Sequence, residues 1–405
     1  MPTSAREPYS PGTWRIQAAL MSPAESKWLP FSDGDGEYTP RPVKHFQPCQ
    51  IILTKGCRSS NARAAFTEAI CRAYPEANVL DQSDVSHAQV DLGIEAPLSR
   101  HGRGKRTLVI GEHKSAVRFS DERLICCPNY WHFSPYGFCP YGCAYCYLAG
   151  TRGVWFSPTV KVFVNLDDML ARIERIASRA GRPTAFYLGK LQDGLALDPL
   201  TGYSRRLVSF FAQHRWARLV VLTKSDEVAN LLGLEHRGNV ILSWSLSSEA
   251  AWRQLEPGTP SPINRVNAMR RCAAAGYHVR AVIMPILPIG DWRDDYARLL
   301  EELLTAVPVE RITLGSLCSF PNALRLTDAK LGRDNPIRER LAGGGQCADG
   351  RYRFNAARRI GSYACLLQTI RARSPNLPVS LCLEERTAFE ALGLTDRIGA
   401  CNCVL

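Results

Sequence analysis

The sequence contains no run of ~20 consecutive apolar residues, so no segment is long enough to cross a bilayer as a helix. Its opening residues, Met1-Pro2-Thr3-Ser4, carry no hydrophobic stretch of the kind that marks a secretory signal. Past residue 43 there is no internal repeat and no low-complexity segment, which argues against a solenoid or propeller. Acidic residues are scarce relative to basic ones, 38 against 50, for a net charge of +12. Such a surplus is the electrostatic footprint of a nucleic-acid binder, because each neutralised phosphate releases counterions. It includes the Arg-rich stretches Arg100–Arg106 and Arg351–Arg359, and it permits that partner without identifying it.

What the chain has in quantity is cysteine, 15 among 405 residues. With no signal segment, the expected setting is a reducing cytosol, where cysteines ligate metals or do chemistry rather than form disulfides. Hydrophobic residues at 45% and charged residues at 22% are ordinary globular composition. A chain of this length can bury a large core, as one big α/β domain or two smaller ones.

The cysteines are not spread evenly. Residues 139 to 147 read Cys-Pro-Tyr-Gly-Cys-Ala-Tyr-Cys-Tyr, so Cys139, Cys143 and Cys146 are spaced C-x3-C-x2-C. Soft thiolates suit iron, and a loop this short can bring three of them to three corners of one 4Fe–4S cube. The fourth iron would then stay open to bind another molecule. Zinc would call for two ligand pairs, or for a fourth Cys or His at a regular offset. The plain alternative is three buried thiols in one loop.

Residues 1–43 are rich in Pro, Ser, Gly and charge, and read as a flexible arm. Gln50–Thr54, Asn61–Tyr74 and Thr107–Gly111 read as strand, helix and strand, a small α/β unit over residues 44–125. Strands are expected near Lys161–Val164, Ala185–Leu188, Leu219–Leu222, Val240–Trp244, Val279–Met284 and Arg311–Leu314. Helices between and after them are expected at Leu166–Ala180, Tyr203–His214, Asp226–Leu232, Ile263–Ala275 and Trp292–Ala306. Asn165 is placed to cap the first of these, with Asp167 and Asp168 in its first turn where the helix dipole favours acids. Repeated βα units of this length mean a parallel sheet over residues 126–340. The extension 341–405 opens on a flexible Gly343-Gly344-Gly345, then carries a basic helix (Asn355–Arg373), a strand (Val379–Leu383) and Cys401-Asn402-Cys403.

The three-cysteine motif, with an aromatic before its last cysteine, resembles the signature of the radical S-adenosylmethionine superfamily. Further segments are similar to the spore photoproduct lyase family: Cys146-Tyr147-Leu148, then Val162-Phe163-Val164-Asn165-Leu166-Asp167-Asp168, Thr223-Lys224, Trp244-Ser245, Glu256-Pro257-Gly258-Thr259, and Gly276-Tyr277 before a strand. The matches run in order from about residue 45 to about residue 305. The resemblance implies an open, partial (β/α)6 barrel of the TIM type, with its chemistry at the C-terminal ends of the strands. It also implies a 4Fe–4S cluster on Cys139, Cys143 and Cys146, with S-adenosylmethionine chelating the open iron. Lys224 and Ser245 then fall where the family holds the methionine end. Tyr145 falls where an aromatic contacts adenine, and Asp193 matches a further cofactor-site position. Each of these also has a plain reading, as a strand-end polar group or a packing aromatic.

One departure stands out. After Ala185-Phe186-Tyr187-Leu188 the family carries a cysteine that returns a hydrogen atom to the repaired thymine, and this chain has Lys190-Leu191-Gln192-Asp193. Lysine cannot replace a thiol there, because its N–H and C–H bonds are much stronger. Other candidate donors are Cys318, just past the strand at Arg311–Leu314, Tyr147, and the Cys401/Cys403 pair. With Cys347 and Cys382 that pair could instead bind a second metal. Cys126-Cys127 reads as loop packing. The aromatics Tyr130, Trp131, His132, Phe133 and Tyr136 suggest a stacking wedge or a shield for the cluster. Gly350-Arg351-Tyr352 resembles a substrate-side segment of the family, in which Arg351 could hold a phosphate and Tyr352 could stack on a base.

The function implied is radical repair of a thymine-type lesion in DNA by a lyase, with an electron donor such as flavodoxin or ferredoxin as partner. A radical enzyme acting on a peptide or small molecule is the first alternative. A nucleic-acid-binding iron–sulfur protein without turnover is the second.

Overall fold

A computed structural model of the protein describes residues 38–122 and 124–405. Two largely parallel sheets organise it. In the first the strand order is Asn78–Gln82, Gln50–Thr54, Thr107–Gly111, Val160–Phe163, Tyr136–Gly137, and only the last joins antiparallel. In the second the order is Val379–Leu381, Ile312–Ser316, His278–Ile286, Val240–Leu246, Ala217–Thr223, Thr184–Leu188, Trp131–His132, Arg118–Phe119. Its first six strands are all parallel, and they form the partial barrel.

The central strands are buried along their whole length, as in Val240–Leu246, because helices cover the outer face. Leu166–Ala180 shows how a helix joins that core. Leu166, Met169, Leu170, Ile173 and Ala177 are buried, at the 3–4 residue spacing of one helical face, and Gly181 ends the helix in a left-handed conformation (φ 59°). Removing one such side chain, as in Ile173→Ala, costs about 2–5 kcal/mol through lost burial and the cavity left behind.

Several expectations are corrected here. Val160–Phe163 does not start the barrel: it pairs with Thr107–Gly111 in the first sheet, which therefore crosses the boundary drawn at 125/126. The sixth barrel strand comes instead from the extension, where Val379–Leu381 pairs with Ile312–Leu314. Asp226–Leu232 is not a helix: residues 226–228 are irregular and 229–232 are turn; Gly233 follows in a left-handed conformation (φ 82°), and the segment is too short to nucleate helix alone. Asn165 occupies the N-cap position without capping. Its side chain accepts from the backbone N–H of His113 at 2.9 Å and donates to Asp168 at 3.2 Å, while Arg63 bridges Asp167 and Asp168.

The arm assigned to residues 1–43 lies outside the described residues up to position 37. Residues 38–43 are docked: the Tyr38 hydroxyl donates to the Pro199 carbonyl at 2.7 Å, and Val43 is buried. Gly343-Gly344-Gly345 is not a loose break either. Gly345 pairs with Arg353, and a Cβ on Gly344 would sit 2.3 Å from the Arg353 carbonyl oxygen, so glycine is required by contact. Trp131 and His132 form a strand beside Phe186 and Tyr187, and Phe133 and Tyr136 are core residues, so the aromatic stretch is no surface wedge. Among the described residues no helix is long and apolar enough to cross a membrane.

Candidate active site

The C-terminal ends of the parallel strands open into a cavity of about 370 Å³. Cys139, Cys143 and Cys146 stand on one side of it. Their loop is held by the Glu256-Pro257 turn: Gly142 N–H donates to the Pro257 carbonyl at 3.0 Å and Ala144 N–H to the Leu255 carbonyl at 2.8 Å. Gly142 is needed there, since a Cβ would come within 3.1 Å of the Pro257 oxygen. Burial pushes the Cys143 thiol up to about 12 and the Cys139 thiol well above its usual range. A metal binding there would have to displace their protons. Among the described residues no three His, Cys, Asp or Glu side chains converge on a single-ion site. A tetrahedral zinc would need sulfurs within about 4 Å of one another, given bonds of ~2.3 Å. Three thiols lining one cavity are the donor set that a 4Fe–4S cube takes at three of its irons.

Next to the thiols lies a buried charge network. The Glu256 carboxylate accepts from Arg265 Nη2 at 2.5 Å, from Lys224 Nζ at 3.1 Å and from the Tyr145 hydroxyl. Burial alone would raise this carboxyl, but the Lys224 and Arg265 cations outweigh it and hold Glu256 well below the usual carboxylate range. Lys224 Nζ also donates to Ser245 Oγ at 2.9 Å, and Ser245 donates on to the Met284 carbonyl at 3.1 Å. Asp193 fixes the start of the Lys224 segment, accepting from Thr223 Oγ1 at 2.6 Å and Lys224 N–H at 2.7 Å.

The opposite wall is built differently. Glu122 takes Lys190 Nζ at 2.8 Å and Arg351 Nη2 at 2.9 Å, so one carboxylate bridges two cations facing the cavity. The Tyr147 hydroxyl donates to the Lys190 carbonyl at 2.6 Å, and Lys190 Nζ lies 5.0 Å from the centre of the Tyr130 ring. Cys318, Cys382, Cys403 and Cys127 complete this wall. Cys318 is buried and the other three are partly buried, and four separate places in the chain bring them together. The Cys127 sulfur accepts from the Leu383 N–H at 3.3 Å, which sets it beside Cys382. Burial pushes the Cys318 thiol up to about 12, which keeps it protonated.

Of the residues singled out in the sequence, Cys139, Cys143, Cys146, Tyr145, Tyr147, Asp193, Lys224, Ser245, Cys318 and Arg351 all line this cavity. Tyr352 does not: it is half-buried, packs against the Leu317–Phe354 cluster and pairs with Ser319. The Tyr145 hydroxyl is already committed to Glu256. The quartet of Cys347, Cys382, Cys401 and Cys403 is not assembled, because Cys347 sits in the turn that bonds to the Arg351 carbonyl. Cys127, read as loop packing, takes its place beside Cys382. The Arg351–Arg359 stretch is also less free than its charge suggests, with Arg353 on Asp349 and Arg359 on Glu384. Glu256, Arg265, Glu122 and Tyr187 were missed. Glu256 alone carried a signal, as the first residue of a segment resembling the family.

A parallel partial barrel with a three-cysteine loop and a lysine–serine pair at its strand ends defines a class of α/β proteins built around a thiol-lined cavity. A family model described as spore photoproduct lyase matches residues 60–315. The chain belongs to the spore photoproduct lyase family. It is 33% identical over 236 residues to the spore photoproduct lyase of Geobacillus sp. (strain Y412MC61), covering 57% of this chain and 66% of that protein. With the enzyme of Bacillus subtilis (strain 168) it shares 29% over 226 residues, 55% of this chain and 64% of the other. The matches thus span just under two thirds of those relatives' length. A solved spore photoproduct lyase complexed with dinucleoside spore photoproduct superposes with a TM-score of 0.72 at 23% identity, over 84% of this chain and 99% of that one. A mutant form with bound AdoMet and the same dinucleoside gives a TM-score of 0.71 over the same shares, a likeness of fold.

Proposed function

We propose that this protein is a radical S-adenosylmethionine lyase that repairs a thymine-type lesion in DNA. The observation that carries the reading is one cavity, at the strand ends, shared by the three-cysteine loop and the Lys224–Ser245–Asp193 group. Cys139, Cys143 and Cys146 would hold a 4Fe–4S cluster. Bound there with S-adenosylmethionine, the cluster supplies the electron that cleaves the sulfonium and yields a 5′-deoxyadenosyl radical. Lys224 and Ser245 would hold the methionine carboxylate end, with Glu256 fixing the lysine from behind. Tyr145 would offer its ring to the adenine side, its hydroxyl being tied to Glu256. Solved relatives hold dinucleoside spore photoproduct, which supports a nucleic-acid substrate. Arg351, with Tyr147 beside it, would meet that substrate. Tyr352, outside the cavity, has no such role.

An electron donor of the flavodoxin or ferredoxin type and a reducing cytosol complete the proposal; all fifteen cysteines are unpaired. With Lys190 engaged by Glu122, hydrogen-atom return falls to the thiols of that wall, Cys318 or Cys403. One observation favours a second reading, radical chemistry on a peptide or small molecule: Glu122 already engages Lys190 and Arg351, the two cations that would otherwise bond a phosphate.

The test uses anaerobically reconstituted protein with dithionite, S-adenosylmethionine and dinucleotide spore photoproduct, following 5′-deoxyadenosine and thymidylyl-thymidine by mass spectrometry. Both products are expected. 5′-Deoxyadenosine without repair would sink the lesion substrate and leave the second reading. Neither product, with salt-dependent DNA binding, would leave a binding protein without turnover.

A further inference from the structure

Lys105 follows the helix Pro97–Gly104 and reaches the cysteine loop from outside the cavity. Its Nζ donates to the Cys139 carbonyl at 2.5 Å and the Tyr141 carbonyl at 2.6 Å, and lies 3.6 Å from the centre of the Phe138 ring. Phe138 has a left-handed backbone (φ 59°), uncommon for an aromatic residue, immediately before the first cysteine. Lys105 is held in place from its own side. Its N–H bonds to the His101 carbonyl at 3.0 Å, and Gly104 packs so closely that a Cβ would sit 2.5 Å from the Pro158 oxygen.

A second cation stands near. Lys330, half-buried on the helix Pro321–Leu331, interacts electrostatically with Lys105, Cys143 and Cys146, and its helix packs against Pro97–Gly104. Among the described residues the lysines with carboxylate partners are Lys114, Lys190 and Lys224, and neither Lys105 nor Lys330 has one. Two cations withdrawn from water without a counter-anion are costly. The anions within reach are the thiolates that Cys139, Cys143 and Cys146 become on binding metal.

We propose that Lys105, backed by Lys330, is a positioning residue for the cysteine loop whose protonated ammonium raises the reduction potential of the cluster held there. The inference rests on the cluster reading above and goes beyond it by naming what tunes that cluster. An added electron makes the cluster more negative, so a nearby cation favours the reduced state. The two carbonyl contacts aim the loop, as supporting hydrogen bonds around metal ligands do.

Iron and sulfide would be measured first on reconstituted parent, Lys105→Met, Lys105→Arg and Lys330→Met proteins. Midpoint potentials would then be read by EPR-monitored redox titration at one pH. A parent without iron overturns the cluster reading and this inference with it. With iron present, Lys105→Met is expected to fall by at least the 59 mV that a tenfold change in a one-electron equilibrium represents. Lys330→Met should shift the same way by less, and Lys105→Arg should stay near the parent. A fully loaded Lys105→Met protein at the parental potential overturns the inference while leaving the cluster reading intact. If Lys105→Met loses its iron, Lys330→Met decides, since no carbonyl contact depends on it: an unchanged potential there overturns the charge effect.

Discussion

On one side of the cavity Glu256 and Arg265 are fully buried and share their contacts with Lys224, Tyr145 and Ser245. On the other, Glu122, Lys190 and Arg351 form a comparable three-membered charge group whose side chains keep 10 to 19% of their exposure. In each group one carboxylate faces two cations, but water reaches every member of the second, whereas in the first it reaches Lys224 and not Glu256 or Arg265. The buried group keeps one geometry and suits a ligand that never varies. The wetter group can be rebuilt at lower cost, and it is there that a lysine stands where the family resemblance leads one to expect cysteine. The contrast teaches that the Glu256 wall and the Glu122 wall of one cavity are under different physical constraints.

The comparison can be broken at four points. The largest effect is expected from Cys143→Ala, which removes one of three ligands and should abolish iron retention after anaerobic reconstitution, read by iron analysis and visible absorbance. Glu256→Gln comes next. Leaving Arg265 buried without its carboxylate should cost about 3–5 kcal/mol in chemical denaturation at pH 7. Because the folded Glu256 carboxyl is held below the usual ~4.3, its stabilisation is complete at neutral pH and fades as pH falls through that value towards the folded one. The gap between parent and variant should therefore narrow in acid, and a gap constant with pH would count against the charge network. Lys224→Ala should weaken S-adenosylmethionine binding roughly tenfold, about 1.4 kcal/mol, in calorimetry on the reconstituted protein. Glu122→Gln should cost least, about 1 kcal/mol, since its partners remain partly hydrated. It should also strengthen binding of an anionic dinucleotide by freeing Lys190 and Arg351. Equal losses for Glu256→Gln and Glu122→Gln would erase the distinction between the walls.

Much of the cofactor side was legible because it is written locally. Cys139, Cys143 and Cys146 lie within one short loop, and Lys224 and Ser245 each follow or end an apolar run that reads as a strand. On the Glu122 wall Tyr147, Cys318 and Arg351 were visible one by one, but their partners were not, because that wall is assembled from distant segments. Arg351 meets Glu122 across 229 positions, and Cys127 meets Cys382 and Cys401 from a loop with no motif of its own. Periodicity also misplaced Val160–Phe163 and undervalued Val379–Leu381. A buried parallel strand looks the same in any sheet, so its partner is decided by packing rather than by its own residues. Glu256 was visible as part of a resembling segment, but a carboxylate's burial and its three partners cannot be read from spacing.

The strand Val379–Leu381 and the Cys401–Cys403 segment, added to the barrel last in chain order, bear on how the protein is assembled. Synthesis proceeds at about 5–20 residues per second, and earlier parts fold first. The loop with Cys139, Cys143 and Cys146 is thus made roughly ten seconds to a minute before the segment that walls it in. During that interval the loop lacks the wall that Cys382 and Cys403 later contribute. The three-cysteine loop is therefore complete in the chain well before the barrel's last strand can join.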